Sequence, residues 1–253
     1  MSRQKLLLQI IWVTLVTLPL VGCGPSEAER HFNQGVIYSQ QGQPEIAIDE
    51  FDQAIALDPQ YANAYYNRGL VYANRGDFKQ AIDEYDQAIT LDPQLVFAYN
   101  NRGNVYINLG DYNSAIANYD YAISLNSRLA VAYNNRGFVY ASLGDLDEAI
   151  ADYDQAIALN SRYTFAFYNR GLASANLREI EEAIDDFDQA IALDPEHAEA
   201  YFNRWLAYAD KGDRDGVIAD YDSAIADYER ARELGLEPSA QDAVEALLEE
   251  LKQ

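Results

Sequence analysis

Residues 62–95 read ANAYYNRGLVYANRGDFKQAIDEYDQAITLDPQL, and this stretch decides the fold. Both halves carry apolar residues at the i, i+3 and i+4 spacing of an amphipathic helix. Gly76-Asp77 interrupts the pattern, because Gly suits the residue after a helix and Asp suits the next N-cap. Asp92-Pro93 ends the second half, since the residue before a proline avoids helical geometry. The stretch therefore predicts a helix, a tight turn and a second helix.

The same 34-residue pattern occurs six times in the 253-residue chain. We number the copies as repeats 1 to 6, and they span residues 28–61, 62–95, 96–129, 130–163, 164–197 and 198–231. The residues that recur in register include Gly35, Gly69, Gly103, Gly137 and Gly171, and Ala47, Ala81, Ala115, Ala149 and Ala183. A fixed period of this length is typical of stacked units that bury a shared core. The sequence thus predicts an all-α binding scaffold.

The pattern resembles the tetratricopeptide repeat. In repeat 3 the matching residues are Tyr99, Gly103, Tyr106, Ala115, Tyr119 and Ala122. The resemblance implies a right-handed superhelical solenoid of six helix-turn-helix units. It also implies that the first helices, here called A helices, line a concave groove, while the second, here called B helices, lie on the convex side.

A glycine inside a helix costs about 1 kcal/mol relative to alanine, so the glycine row needs a reason. The alanine row lies opposite it on the predicted B helices. We therefore expect small residues to face small residues, which would let the two backbones approach closely.

An arginine row replaces the family's usual leucine: Arg68, Arg102, Arg136, Arg170 and Arg204. Two rows on the predicted B helices could pair with it: Asp52, Asp86, Asp120, Asp154, Asp188 and Asp222, and Glu50, Glu84, Asn118, Asp152, Asp186 and Asp220. A half-buried guanidinium without a partner is costly, which favours pairing with these acids. Alternatively, each arginine extends its head group into solvent.

The resemblance implies which A-helix residues line the groove. The candidate peptide-binding residues are Tyr66, Asn67, Phe97, Asn101, Asn135, Phe138, Phe165, Tyr168, Asn169, Leu172, Phe202 and Asn203. Amides can bond a peptide backbone whatever its side chains, and aromatic residues add contact area. Part of the asparagine row could instead serve contacts between neighbouring repeats.

The expected partner is a protein or peptide segment, apolar or mildly basic. The lysine and arginine clamp with which some relatives hold a carboxylate is absent from the corresponding positions. A formal net charge of −23 also argues against nucleic acid as a partner.

The amino terminus predicts export and lipid attachment. The segment 1–5 is short and basic, and residues 6–21 are mostly apolar. This apolar run ends in Leu20-Val21-Gly22-Cys23. The last four residues resemble the lipobox of bacterial lipoproteins, which implies a signal peptide over residues 1–22, a diacylglyceryl group on Cys23 and a linker over 23–27. We therefore expect a protein of the cell envelope, anchored by lipid to the periplasmic or outer face of a bacterial membrane.

The repeat pattern weakens towards its end. Trp205 takes the glycine position and Val217 the alanine position of repeat 6, so we expect that helix pair to be wedged apart. Residues 240–251 are amphipathic. We expect the segment 232–253 to contain a helix that caps the open end of the stack, with a free partner-binding helix as the alternative.

The sequence contains no motif for catalysis, a cofactor, a metal or a small-molecule substrate. His31 and His197 lie far apart, Cys23 is the single cysteine, and no nucleophile elbow or phosphate loop is present. The main prediction is a non-catalytic interaction scaffold. The alternatives are an assembly factor or chaperone-like adaptor held on the cytoplasmic side by an uncleaved anchor, and an envelope enzyme with a cryptic site.

Overall fold

The computed structural model describes residues 24–211 and Arg230. Within that part of the chain the regular structure is entirely α-helical. The helices are α1 (Glu27–Gln40), α2 (Pro44–Leu57), α3 (Ala62–Arg75), α4 (Phe78–Leu91), α5 (Val96–Leu109), α6 (Tyr112–Leu125), α7 (Ala130–Leu143), α8 (Leu146–Leu159), α9 (Thr164–Asn176), α10 (Ile180–Leu193) and α11 (Ala198–Lys211). Odd-numbered helices are the A helices and even-numbered helices are the B helices. The protein therefore has the predicted all-α helical repeat fold.

The chain divides into two compact units, residues 1–128 and 129–253, and each is described by itself. In the N-terminal unit α1, α3 and α5 pack against their own B helices, and α2 and α4 also contact the A helix that follows. The C-terminal unit repeats this arrangement with α7 to α11. Consecutive A helices also contact each other within each unit.

The turn from A helix to B helix uses a left-handed residue. Gly76, Gly110 and Gly144 follow α3, α5 and α7 with φ between 76° and 92°. Arg178 takes this place in repeat 5 with φ of 67°, a conformation in which a side chain is strained.

The glycine row lies nearest to aromatic rings, so the expectation that it faces the alanine row holds only in part. At Gly137 an added Cβ would also lie 3.1 Å from the Ala149 carbonyl oxygen. A Cβ placed on Gly35 would lie 2.6 Å from Phe51, and one on Gly103 would lie 2.7 Å from Tyr119. Rings from the same position also lie nearest to Gly69, Gly137 and Gly171. The absence of a Cβ at these glycines lets a large ring pack close to the A-helix backbone.

The glycine and alanine rows are both buried. The sequence periodicity alone therefore could not show whether the glycines face alanines or aromatic rings. The alanines are fully buried, at 0% exposure.

The arginine row is paired with acids, which confirms the first of the two sequence hypotheses. Arg68 donates to Asp52 on the B helix of the preceding repeat and to Glu84 on its own B helix, the latter at 2.8 Å. Arg170 likewise bridges Asp154 and Asp186. In repeat 3 Arg102 donates to Asp86 and to the side-chain oxygen of Asn118, which stands where repeats 2 and 5 have an acid. Within each unit, consecutive repeats are therefore linked by such arginines.

Burial determines the electrostatics of the inner carboxylates in this arginine row. Desolvation raises the pKa of Glu84 above its ordinary value, and the bonds from Arg68 act in the opposite direction. Asp186 shows the same balance, because burial raises its pKa and Arg170 opposes the rise. The rings of Tyr65, Tyr99, Tyr133, Phe167 and Tyr201 lie 5.5–5.8 Å from the arginine heads, which adds cation–π attraction.

Four predicted features fall outside the described residues. They are the signal peptide over residues 1–22, the lipid attachment at Cys23, the widened contact between Trp205 and Val217, and the capping helix in 232–253.

Candidate inner face of the A helices

The candidate binding residues lie on the A helices in two separate groups. Tyr66, Asn67, Phe97 and Asn101 belong to the N-terminal unit, and the remaining eight belong to the C-terminal unit. The structure assigns many of the amides to contacts inside the protein.

In the N-terminal unit the amides form a buried network. Asn101 is 2% exposed and donates to the Tyr66 hydroxyl, 35 residues earlier, at 2.9 Å. The side-chain amide of Asn100 donates to the side-chain oxygen of Asn101. The Tyr119 hydroxyl donates to the side-chain oxygen of Asn104 at 2.7 Å. Burial raises the pKa of Tyr119 well above its ordinary value, so its hydroxyl remains a proton donor. This network joins repeats 2 and 3.

Asn67 also bonds within the protein, donating to the carbonyl of Asn63 on its own helix at 2.8 Å. The N-terminal unit thus leaves Phe97, which is half-buried, as its aromatic candidate that is not fully buried, since Tyr66 is 6% exposed.

The C-terminal unit uses the same 35-residue step. Asn203 donates to the Tyr168 hydroxyl at 3.1 Å, and Asn169 donates to Asn134 at 3.2 Å. Asn135 is buried and accepts a hydrogen bond from Asn134. The interpretation that part of the asparagine row joins neighbouring repeats therefore holds for Asn101, Asn169 and Asn203.

Four apolar side chains of the C-terminal unit remain partly exposed and form what we call the apolar strip: Phe138, Phe165, Tyr168 and Leu172. The last three follow at i, i+3 and i+7 along α9, so they share one helix face. Phe202, in contrast, is buried and stacks on Trp205 with ring centroids 5.5 Å apart. The apolar strip is the part of the predicted site that can meet a ligand without rearrangement.

His197 supports one end of the apolar strip. Its ring centroid lies 4.7 Å from that of Tyr168 and 6.2 Å from that of Phe165. Its Nδ1 lies 3.2 Å from the Glu199 carboxylate, and its side chain is 10% exposed. The proximity of His197 lowers the pKa of Glu199. These contacts hold Phe165 and Tyr168 in place from the side of the following repeat.

Sequence reasoning missed the tyrosine partners of the amides. The sequence does indicate these pairs, because Tyr66 and Asn101, like Tyr168 and Asn203, are 35 residues apart. That spacing is one residue longer than the repeat. A search for polar pairs one residue off the period would have found both.

Within residues 24–211, no group of three or more histidine, cysteine or acidic side chains is placed to hold a metal ion. The same part of the chain contains no helix with both the length and the apolar character needed to cross a bilayer.

Sequence patterns of the tetratricopeptide repeat match residues 32–96, 84–117, 103–144, 130–163 and 165–197. The crystal structure of MamA is 30% identical to this chain, covers 66% of it and 93% of its own length, and superimposes with a TM-score of 0.58. The chain belongs to the tetratricopeptide repeat family. Its fold is therefore that of a scaffold whose expected partner is a protein or a peptide.

Two further solved structures are similar. YrrB, a TPR protein described as having an unusual peptide-binding site, is 27% identical over 72% of this chain and 96% of its own, with a TM-score of 0.59. Pseudomonas aeruginosa pilF is 19% identical over 87% of this chain and 96% of its own, with a TM-score of 0.76. At that identity the last match supports the fold alone. No curated protein sequence matches the chain significantly.

Proposed function

We propose that the chain is a non-catalytic, lipid-anchored scaffold of the bacterial envelope that holds a protein segment against the inner face of its A helices. The observation that carries the binding part is the apolar strip, whose aromatic rings are partly exposed and held in position by their neighbours. Rigid aromatic side chains give contact area at a low entropic cost. The likeness to YrrB, which has a peptide-binding site, supports the same assignment.

Charge favours an apolar or mildly basic segment. Glu199 and Asp210 lie on α11, and both are exposed. The arginines of α7, α9 and α11 instead bond acids on the B helices. Because Asp210 is paired with Arg178, the carboxylate that a ligand would meet at the end of the apolar strip beside His197 is that of Glu199.

The proposed anchor rests on the sequence of residues 1–23. Cleavage after Gly22 would leave a diacylated Cys23 followed by Gly24, Pro25 and Ser26, which caps α1 by accepting from Glu29. The short linker would keep the first repeat near the membrane. Two acyl chains hold a protein to a bilayer far more stably than one.

Site-specific photocross-linking in the native cells tests the binding surface. A photoreactive phenylalanine at Phe138 should cross-link a partner segment, whereas one at Gln155, exposed on α8, should not. A synthetic peptide of the cross-linked segment should then bind the triple variant F138A/F165A/L172A at least about tenfold more weakly than the parent. Equal cross-linking at Gln155, or unchanged affinity of the triple variant with unchanged helicity, would contradict the proposal.

Mass spectrometry of the purified protein tests the anchor. The expected amino terminus is Cys23 with a diacylglyceryl group, and C23S should abolish the modification. An intact Met1 would refute lipid attachment and favour the cytoplasmic-side adaptor instead.

A further inference from the structure

The edge of the C-terminal unit that carries its A-to-B turns combines exposed leucines with acidic side chains. Leu143 ends α7 and is 48% exposed, and Leu177 follows α9 and is 37% exposed. Next to them, the first turns of α8 and α10 carry Asp147 and Glu148, and Glu181 and Glu182, all exposed. We call these six residues the acidic leucine edge.

Both turns lie at the same edge of the unit. Asn169 of α9 bonds Asn134 of α7, and Asn203 of α11 bonds Tyr168 of α9, each across 35 residues. Consecutive A helices therefore run side by side in the same direction, so their carboxyl ends are neighbours. Helices in contact have axes about 8–10 Å apart, which sets the spacing of the two leucines at roughly 10 Å.

The charge is concentrated at this edge. Residues 143–148 and 177–182 together contain six acids and one base, Arg178, whose guanidinium lies 3.3 Å from Asp210. One further base reaches the edge from α11, where the Lys211 ammonium lies 3.8 Å from Glu181. At the opposite edge of the same unit, residues 159–163 and 193–197 contain two acids and one base. The turn segments of the N-terminal unit, 41–46, 75–80 and 109–114, contain three acids and two bases.

Helix stability does not explain these acids. Carboxylates in a first turn favour the helix dipole, but α4 and α6 reach the same length of 14 residues with no acid there. The leucines are not needed for the turn either, because the same position holds Gln41, Arg75 and Lys211 in repeats 1, 2 and 6. Leu109 provides the contrast: it is 52% exposed, with only Asp111 beside it.

We propose that the acidic leucine edge docks a cationic amphipathic helix of a partner protein. Its two leucines match apolar residues seven positions apart on such a helix, because seven residues rise about 10 Å. Lysine or arginine side chains beside that apolar stripe complement the four carboxylates. This surface is separate from the apolar strip, so the scaffold would hold two segments at once.

Fluorescence anisotropy with a designed probe tests the proposal. The probe is a labelled synthetic helix with leucines seven residues apart and lysines around them, measured with the full chain in 150 mM NaCl. We expect L143S/L177S to weaken binding about tenfold or more, because the variant removes both apolar contacts with the probe. The quadruple variant D147N/E148Q/E181Q/E182Q should weaken binding and flatten its salt dependence.

Matched controls separate this surface from the others. L109S and the apolar-strip variant F138A/F165A/L172A should bind the probe within about twofold of the parent. The proposal is overturned if the parent does not bind the lysine–leucine helix, if L143S/L177S binds it as well as the parent, or if the apolar-strip variant loses binding. The last result would place the helix on the strip and would leave the proposed function intact.

Discussion

At the scale of single residues, the glycine row shows how a missing methyl group admits an aromatic ring. Each mid-helix glycine gives up helix propensity of about 1 kcal/mol relative to alanine. In return, a buried ring such as Phe51, at 0% exposure, packs against the A-helix backbone. A buried aromatic side chain contributes several kilocalories per mole when it is retained rather than truncated, so the exchange favours the glycine.

We therefore predict that Gly35→Ala destabilises the protein in spite of its better helix propensity. The added Cβ would lie 2.6 Å from the Phe51 ring, and overpacking of this kind costs about 1–3 kcal/mol. Urea denaturation followed by circular dichroism measures the effect. In a Phe51→Leu background the same change should cost less, because the clashing ring atoms are gone. Strictly additive effects of the two changes would contradict this explanation.

At the scale of elements, the arginine row makes neighbouring helices depend on one another. Arg68 and Arg170 each bond the B helix of their own repeat and the B helix of the preceding one, and each covers an aromatic ring of its own A helix. Three elements are thereby fixed by one side chain. The Arg170 side chain is half-buried, while that of Asp186 is 6% exposed, so the inner carboxylate depends on this partner.

We predict that Arg170→Met destabilises the C-terminal unit by on the order of 2 kcal/mol, because it leaves Asp186 buried without its cation. The matched control is Arg178→Met. Its pair with Asp210 is exposed on both sides, and such pairs contribute about 0–1 kcal/mol. Thermal unfolding of the two variants measures the difference. Equal losses would indicate that packing of the arginine stem, rather than pairing of Asp186, stabilises the helices.

The sequence predicted the elements well and the contacts between them less well. Turn glycines and the Asp-Pro pair locate helix ends such as those of α3 and α4, because their geometry is local. Whether Asn101 faces a ligand or Tyr66 is not local, since the answer depends on how closely the next repeat packs. The same holds for Gly103, whose neighbour could have been Ala115 or Tyr119 until the side chains were placed.

At the scale of the whole molecule, the net charge of −23 opposes compactness. Many acids of the described repeats are exposed on the B helices, where they repel one another through solvent. The inner carboxylates of the arginine row are shielded by burial and by their partners, so salt affects them less. Added salt should therefore weaken the repulsion between exposed acids more than it weakens the attraction within the buried arginine–acid pairs.

We predict that the melting temperature rises when NaCl increases from 10 to 150 mM, as the Debye length falls from about 30 Å to about 8 Å. Differential scanning calorimetry at fixed pH measures the change. Choline chloride at equal ionic strength should give the same rise, since screening does not require a particular cation. A fall in melting temperature would mean that exposed ion pairs outweigh the general repulsion.

The one-repeat offset of the tyrosine–asparagine and arginine–acid bonds has an evolutionary consequence. In the bonds within each unit, an arginine or asparagine of one copy donates to a side chain of the copy before it. A duplication or loss of one whole 34-residue copy would therefore leave most partners matched, and no new interface would have to arise. A gain or loss of any other length would put every downstream partner out of step.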